Sequence, residues 1–288
     1  MPNNDLLSSG FVGEDIPSQE SMFSNISEFY RSESGYSCLH LCRRYGKLHI
    51  LKSLQPPFRQ EEFYKQLLHK EFNIGYQLDH PNIRHTIDWE QQEDLGLCIV
   101  MEYVDGISLK EFMIQGKLTQ PLAYKFIREL CEALHYIHSK QLVHKDLKPE
   151  NIIITHNGNN VKLIDFGLSD RDDYDTLKIP AGTKKYLAPE QLLSHASLDC
   201  RTDIYSLGVI IQDITSVIKD RRLVRIAQKC TQKNPDKRFH SAQEVLEALN
   251  VRRHSKSILY ISAVAVLSFL TTFYLKNLSS QPDKSSIN

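Results

Sequence analysis

The feature that most constrains this chain is a succession of three short segments in its second half. HKDLKPEN occupies 144–151, DFG occupies 165–167 and APE occupies 188–190. Each segment alone is a weak signal, because short motifs recur by chance. Their order and spacing nevertheless predict one site that contains carboxylates, an amide and a lysine.

These side chains match the needs of one reaction, the transfer of a γ-phosphoryl group. That reaction requires a carboxylate beside the attacking hydroxyl, oxygen ligands for Mg²⁺ and cations on the phosphates. Asp146, Asn151 and Asp165 supply the oxygens. The cations are supplied by Lys148 and by Lys52, which lies in the apolar segment LHILK. The sequence therefore predicts a phosphoryl-transfer site.

Apolar spacing divides the body of the chain into two parts. Residues 28–104 contain the strand-length runs HILKSL and LGLCIVMEYV and one helical stretch, EEFYKQLLHKEFNIGYQL. Helical patterns dominate 108–250, where IYSLGVIIQDITSVI is almost entirely apolar. Asn157-Gly158 between two short apolar runs indicates a hairpin turn.

Three further segments occur in chain order: GTKKYLAPE, DIYSLGV and NPDKRF. With these motifs, the chain resembles the eukaryotic-like, bacterial-type Ser/Thr protein kinases over 28–250. The resemblance implies an α+β bilobal protein kinase fold, with a small β-rich N-lobe at 28–104 and a large helical C-lobe at 108–250. It also implies ATP-dependent transfer to protein Ser or Thr hydroxyls. Lys148 and Thr183 favour Ser/Thr over Tyr substrates, because Tyr kinases lack that lysine.

The resemblance assigns roles to individual residues. Lys52 would contact the α- and β-phosphates with Glu71 as its helix partner, and Lys148 would contact the γ-phosphate. Asp146 would orient the hydroxyl and accept its proton. Asp165 and Asn151 would bind Mg²⁺, with Mn²⁺ as an alternative ion.

The adenine is expected between apolar side chains, as most planar ligands are. The resemblance places Leu39 and Ile50 above the ring and Ile153 below it. The backbone from Glu102 to Val104 would bond the base, with Met101 as the residue that limits the pocket.

A phosphate-covering hairpin is expected at SESGYSCLHLC, where the family's three glycine positions fall on Ser32, Ser34 and Ser37. Gly35 supplies one flexible position at the tip. Serine keeps the backbone N–H but adds a Cβ, at a cost of about 1 kcal/mol per left-handed residue. We expect these serines to raise the KM for ATP more than they lower kcat.

Three further residues are expected to be structural. Asp203 would anchor the backbone of the catalytic loop, and Glu190 with Arg238 would form a buried ion pair.

The activation segment offers four candidate phosphorylation sites: Ser169, Tyr174, Thr176 and Thr183. In the catalytic loop, Lys145 stands where most regulated kinases of the family have arginine. A lysine would bind a phosphate only as a point charge, so control by phosphorylation of the activation segment is less expected.

Gly75 is a second departure, because it falls four residues after Glu71, where the family places a larger apolar residue. We expect this substitution to leave the active position of the helix only marginally favoured.

The two ends differ in composition. Residues 1–27 are expected to form a polar, mobile leader. Residues 257–275 are 19 residues without a charge and would span about 28 Å as a helix, which predicts a single transmembrane span. The basic segment 251–256 precedes the span and a short tail, 276–288, follows it, so the positive-inside rule predicts a cell-membrane protein with a cytoplasmic catalytic domain. A buried C-terminal helix is the alternative.

Composition also bears on partners. Lys+Arg and Asp+Glu both total 35, so no basic excess favours nucleic acid. The six cysteines show no zinc-like spacing. The expected partners are protein substrates, a lipid bilayer through 257–275 and a second copy of the chain for autophosphorylation. A membrane-anchored pseudokinase that acts as a scaffold and binds nucleotide weakly remains the alternative function.

Overall fold

A computed structural model describes residues 23–31, 35–166, 183–193, 198–250 and 268–272. The chain divides into a first unit, Met1–Leu246, and a second, Glu247–Asn288. In the second unit, the described residues form the end of a helix and a helical turn at 268–272.

The first part of the chain forms an antiparallel five-stranded sheet in the order β1-β2-β3-β5-β4. The strands are β1 (Phe23–Arg31), β2 (Ser37–Arg44), β3 (Lys47–Leu54), β4 (Thr86–Gln92) and β5 (Gly96–Glu102). Tyr45 and Gly46 join β2 to β3 with φ of 48° and 77°, as a two-residue hairpin turn requires. This sheet carries Lys52 in β3, opposite Ile99 of β5.

The sheet begins earlier than the sequence predicts. Phe23 is only 4% exposed and packs in a core cluster with Cys42 and Leu51. The predicted leader boundary at residue 27 is therefore wrong for Phe23 to Ser27, which belong to β1. Phe23 is the one buried residue of β1, and the exposed Ile26, Phe29 and Tyr30 do not alternate with polar residues, so no pattern in the sequence reveals the strand.

Helix α1 (Glu62–Tyr76) follows β3, as its apolar spacing predicts. Its buried residues, Leu68, Glu71 and Gly75, recur at three- and four-residue intervals and so share one face. A Cβ built on Gly75 would lie 2.4 Å from Thr86 Oγ1 of β4. Thr86 therefore occupies the space beside Gly75 where a larger side chain would lie, and glycine lets the helix approach the sheet closely.

Helices dominate the second part of the chain, as predicted. They are α2 (Leu109–Ile114), α3 (Gln120–Ser139), α4 (Cys200–Val217), α5 (Arg221–Cys230) and α6 (Ala242–Asn250). A small sheet of β6 (Gly106–Ser108), β7 (Ile152–Thr155) and β8 (Val161–Leu163) lies among them in chain order. The predicted hairpin turn is confirmed, because β7 pairs antiparallel with β8 and Gly158 has a φ of 79°.

The segment between α1 and β4 is fastened to β8. Leu163 N donates to Asn82 O at 2.8 Å, and Arg84 N donates to Leu163 O at 2.9 Å. Asn82 Nδ2 adds a bond of 2.9 Å to Val161 O. These bonds connect the five-stranded sheet to the strand that leads to Asp165.

Arg238 and Glu190 form the buried pair that the resemblance implies. The guanidinium donates from Nη1 to Glu190 Oε1 at 2.6 Å and from Nη2 to Oε2 at 2.7 Å, and its side chain is fully buried. It also donates to the carbonyl oxygens of Gln232 and Arg201. The pair ties the APE segment to the loop that precedes α6.

Within the described residues, no helix has the length and apolar character needed to cross a membrane. The predicted span at 257–275 lies outside the described residues except for 268–272.

Substitution of Arg238 by Met should lower the free energy of unfolding by about 3–5 kcal/mol, because it leaves the Glu190 carboxylate buried without its partner. Urea denaturation at neutral pH measures the change. Arg225→Met, at an exposed arginine of α5, is the matched control and should stay within about 0.5 kcal/mol of wild type. A loss of less than about 1 kcal/mol for Arg238→Met would contradict the assignment of a stabilising buried ion pair.

Substitution of Gly75 by Ala should destabilise the protein by about 1–3 kcal/mol, because the added methyl overlaps Thr86. This overpacking opposes the gain in helix propensity of about 1 kcal/mol that alanine normally brings. Thr86→Ala alone is the control, and Gly75→Ala with Thr86→Ala should recover most of the loss. Chemical denaturation of the four proteins tests this, and a Gly75→Ala protein as stable as wild type would contradict it.

Candidate active site

Three elements bring Lys52, Glu71 and Asp165 together. The Lys52 Nζ lies 2.6 Å from Glu71 Oε1 and 3.1 Å from Asp165 Oδ1. The side chains of Lys52 and Glu71 are 6% and 5% exposed. Asp165 follows β8 with a φ of 68°, a conformation that is uncommon and costly for a residue other than glycine.

The charges of this cluster favour an ionised lysine. Burial lowers the pKa of Lys52, but the carboxylates of Asp165 and Glu71 outweigh it and hold this pKa above its ordinary value. Burial raises the pKa of Glu71 against the opposing charge of Lys52. The second carboxylate oxygen, Glu71 Oε2, is buried and has no hydrogen-bond partner among the described residues.

A second cluster surrounds Asp146. Lys148 Nζ donates to Asp146 Oδ2 at 2.7 Å. Asn151 Nδ2 donates to the same oxygen at 3.0 Å and to Asp146 O at 2.9 Å. Burial raises the pKa of Asp146, and the charge of Lys148 opposes the shift. Asp146 Oδ1 is buried without a partner among the described residues, so it can accept a proton or a hydrogen bond from a ligand.

Asp203 of α4 holds the backbone that precedes Asp146. Its carboxylate accepts from His144 N at 2.8 Å and from Lys145 N at 2.9 Å. Burial raises the pKa of Asp203, but the hydrogen bond and charge of His138 and the bond from His144 outweigh it, so the pKa is lowered. Lys145 has a φ of 65°, a strained conformation that these bonds stabilise.

Sequence reasoning missed a second support of the same loop. Gln191 Nε2 donates to Lys145 O at 2.9 Å, and Gln191 Oε1 accepts from Ala188 N at 2.9 Å. The residue directly after APE therefore joins that segment to the catalytic loop. A buried glutamine is unusual, but sequence alone does not indicate which backbone amides it contacts.

The residues expected around adenine lie on strands of both sheets. Ile50 is the register partner of Met101, and Leu39 is the partner of Lys52. Ile153 lies in β7, opposite Ser108. The pairing thus places the predicted upper wall on β2 and β3, and the predicted lower wall on the second sheet.

Glu102 ends β5, and its side chain is already bonded. Its Oε2 accepts from Lys162 Nζ at 3.0 Å and from His85 N at 3.1 Å. The segment that continues through Val104 is therefore fixed at its start by side-chain contacts. Recognition of a base at this segment would fall to backbone groups.

The predicted phosphate-covering hairpin is described in part. Ser32 and Ser34 lie outside the described residues. Gln55 Nε2 donates to Gly35 O at 3.1 Å and to Ser37 O at 3.2 Å, which fixes the second half of the hairpin to the end of β3. The sequence does not predict these contacts of Gln55, because a glutamine in a loop carries no positional signal.

The predicted activation segment is described only at its end. Ser169, Tyr174 and Thr176 lie outside the described residues, and Thr183 begins a short 3-10 helix, Thr183–Lys185.

The donor set suits a hard cation that nucleotide phosphates help to bind. In the described part of the chain, His, Cys, Asp and Glu form no group of three that could hold a metal alone. Asp165 and Asn151 instead offer carboxylate and amide oxygens, and Mg²⁺ is commonly held by one or two such groups plus phosphates. The residues therefore fit Mg²⁺ bound together with ATP.

Two bacterial proteins illustrate the sequence similarity. A probable serine/threonine-protein kinase of Clostridium perfringens is 32% identical over 182 residues, which cover 62% of this chain and 26% of that protein. Serine/threonine-protein kinase PrkC of Bacillus subtilis is 32% identical over 168 residues, covering 57% of this chain and 26% of PrkC. The aligned part of the chain thus spans about a quarter of each relative.

Solved structures agree on the fold. The kinase domain of Mycobacterium tuberculosis PknI aligns with a TM-score of 0.61 at 24% identity, covering 79% of this chain and 96% of that domain. Residues 33–219 match the protein kinase domain family. This match shows that the chain belongs to the protein kinase family, and the bacterial relatives that it resembles are Ser/Thr kinases.

Proposed function

We propose that the chain transfers the γ-phosphoryl group of Mg·ATP to Ser or Thr hydroxyls of proteins. The observation that carries this proposal is the preformed contact of Lys52 with both Glu71 and Asp165, at 2.6 and 3.1 Å. A pseudokinase that has lost catalysis has no need of the complete set of charged groups. The active enzyme is therefore favoured over a scaffold.

Asp146 is the proposed base. Its unpartnered Oδ1 can accept the proton of a substrate hydroxyl, while Lys148 and Asn151 hold the other oxygen in place. The hydroxyl oxygen forms a bond to the γ-phosphorus, and the bond from that phosphorus to the bridging oxygen breaks. Its electron pair leaves with ADP, and the hydroxyl proton moves to Asp146.

The lysines stabilise negative charge around the transferred group. Lys52 would neutralise the non-transferred phosphates, and Lys148, whose Nζ lies 2.7 Å from Asp146 Oδ2, would contact the γ-phosphoryl oxygens. Asp165 and Asn151 would hold Mg²⁺, or Mn²⁺ in its place, and that ion would supply positive charge against the phosphates. The strained φ of Asp165 directs its carboxylate to the cluster with Lys52.

Ser/Thr selectivity is supported by Lys148 and Thr183 and by the relatives, whose names state that specificity. Phosphorylation of one copy by another is the proposed route of autophosphorylation, with Ser169, Tyr174, Thr176 and Thr183 as candidate sites. A rate of autophosphorylation that rises with the square of the protein concentration would support this route.

We also propose that 257–275 anchors the protein in the cell membrane, with the catalytic domain up to residue 250 in the cytoplasm. The supports are the length of this uncharged segment, the basic segment 251–256 before it and the exposed Phe269 and Leu270 of the described helical turn. Apolar side chains exposed on a helix favour a lipid environment.

Replacing Asp146 by Asn should reduce phosphoryl transfer about 10²- to 10⁴-fold, because the base is lost while the shape is kept. Labelled ATP with Mg²⁺ and a generic Ser/Thr substrate measures the rate. Asp105→Asn, at an exposed aspartate, is the matched control and should act as wild type. If folded wild type and Asp146→Asn were equally silent over a range of ATP concentrations, the scaffold function would replace the enzyme.

Replacing Val264 and Leu267 together by Arg should release the full chain from membranes, because each charge costs about 2.5–3.5 kcal/mol at the centre of a span. Flotation with lipid vesicles after expression measures association. Ser285→Arg with Ser286→Arg adds the same charge in the tail and should leave association intact. Equal flotation of the Val264/Leu267 variant and wild type would contradict a membrane span.

A further inference from the structure

Arg84 is a cation that the proposed mechanism does not use. It lies between α1 and β4, and its backbone N donates to Leu163 O at 2.9 Å. Ile83 forms a parallel bridge with the same leucine. The backbone of Arg84 is therefore fixed to β8, two residues before Asp165.

Arg84 lines a small cavity beside the active site. Glu71 and Asp165 line the same cavity, together with Gly75 and Thr86. Its volume is about 10 Å³, close to the space that one water molecule needs. Arg84 is the cation among the described residues that line it, facing two carboxylates.

Glu71 needs a second partner at this position. Its Oε1 is taken by Lys52 at 2.6 Å, whereas Oε2 is buried and has no hydrogen-bond partner among the described residues. A buried charged oxygen without a partner is costly. The planar guanidinium of arginine presents several donors and stays ionised even when half-buried.

The charges near Arg84 agree with this geometry. Burial lowers the pKa of Arg84, and the negative charges of Asp165 and Glu71 oppose that shift ahead of Glu102. Glu102 is already bonded to Lys162 and to His85 N. The Asp165 side chain is 40% exposed and so keeps contact with solvent. Glu71, which is buried and has an unpartnered oxygen, is therefore the carboxylate with the greatest need of Arg84.

We propose that Arg84 is a positioning residue, whose guanidinium serves Glu71 Oε2 across this cavity through one bound water. It holds α1 where Glu71 meets Lys52. Thr86 Oγ1 lies beside Gly75 at the same cavity and is a third polar partner for that water. This charged contact stabilises the helix at the place where Gly75 contributes no apolar side chain. The inference deepens the proposed function and rests on it only for its activity readout.

A double-mutant cycle tests the pair without requiring catalysis. Arg84→Met, Glu71→Gln and the double variant are compared with wild type in urea denaturation. We expect Arg84→Met to lower the unfolding equilibrium constant far less in the Glu71→Gln background, with a coupling of about tenfold. Additive effects, with coupling below about twofold, would overturn the proposal. Arg225→Met, combined with Glu71→Gln, is the control and should show no coupling.

Two further measurements separate positioning from simple packing. Arg84→Met should raise the KM for ATP about tenfold, a change in binding of the size that one lost charged contact produces. Arg84→Lys should restore most of the loss, whereas Arg84→Gln should not. If Arg84→Met does not fold, the Lys and Gln variants carry the cycle, and equal behaviour of these two would overturn a role for charge. Should wild type transfer no phosphate, the proposed function fails while the stability cycle still decides this inference.

Discussion

The Lys52 ammonium, buried between the carboxylates of Glu71 and Asp165, is the interaction on which the site depends. It joins β3, α1 and the segment after β8 through contacts of 2.6 and 3.1 Å. A buried cation is tolerated only when it is paired, so the sheet, the helix and the second lobe must meet at this point. The same contact holds the lysine in the position from which we propose that it contacts the phosphates of a nucleotide.

The catalytic loop is held by a separate set of hydrogen bonds. Asp203 accepts two backbone N–H groups, and Gln191 donates to the carbonyl of Lys145. These bonds stabilise a positive φ at Lys145 and leave Asp146 with one unpartnered oxygen. The proposed base is thus fixed by the helical lobe, while Lys52, the proposed phosphate-binding lysine, depends on α1 and the sheet. A change in the position of α1 would alter Lys52 without displacing Asp146.

Much of this arrangement was predictable from sequence, because it depends on residue type and short-range spacing. Apolar periodicity predicted α1 and α4, and Asn157-Gly158 predicted the hairpin between β7 and β8. The order of the motifs indicated the charged residues that the structure brings together. The start of β1 was missed because it depends on Phe23 packing against residues distant in sequence. Gln191 and Arg84 were missed for a related reason: their contacts are long-range and leave no periodic signal. Gly75 was recognised as unusual, but only the structure showed that Thr86 fills the adjacent space.

The most direct test of the account is single-turnover phosphoryl transfer by wild type and Lys52→Met, with folding checked by denaturation. The account predicts transfer by wild type in the presence of Mg·ATP, and a loss of at least about 10²-fold in the variant, because the phosphates lose their buried cation. Glu71 and Asp165 would then lack their shared partner, so the variant should also be less stable. Equal transfer by the two folded proteins, or none by either, would contradict the account.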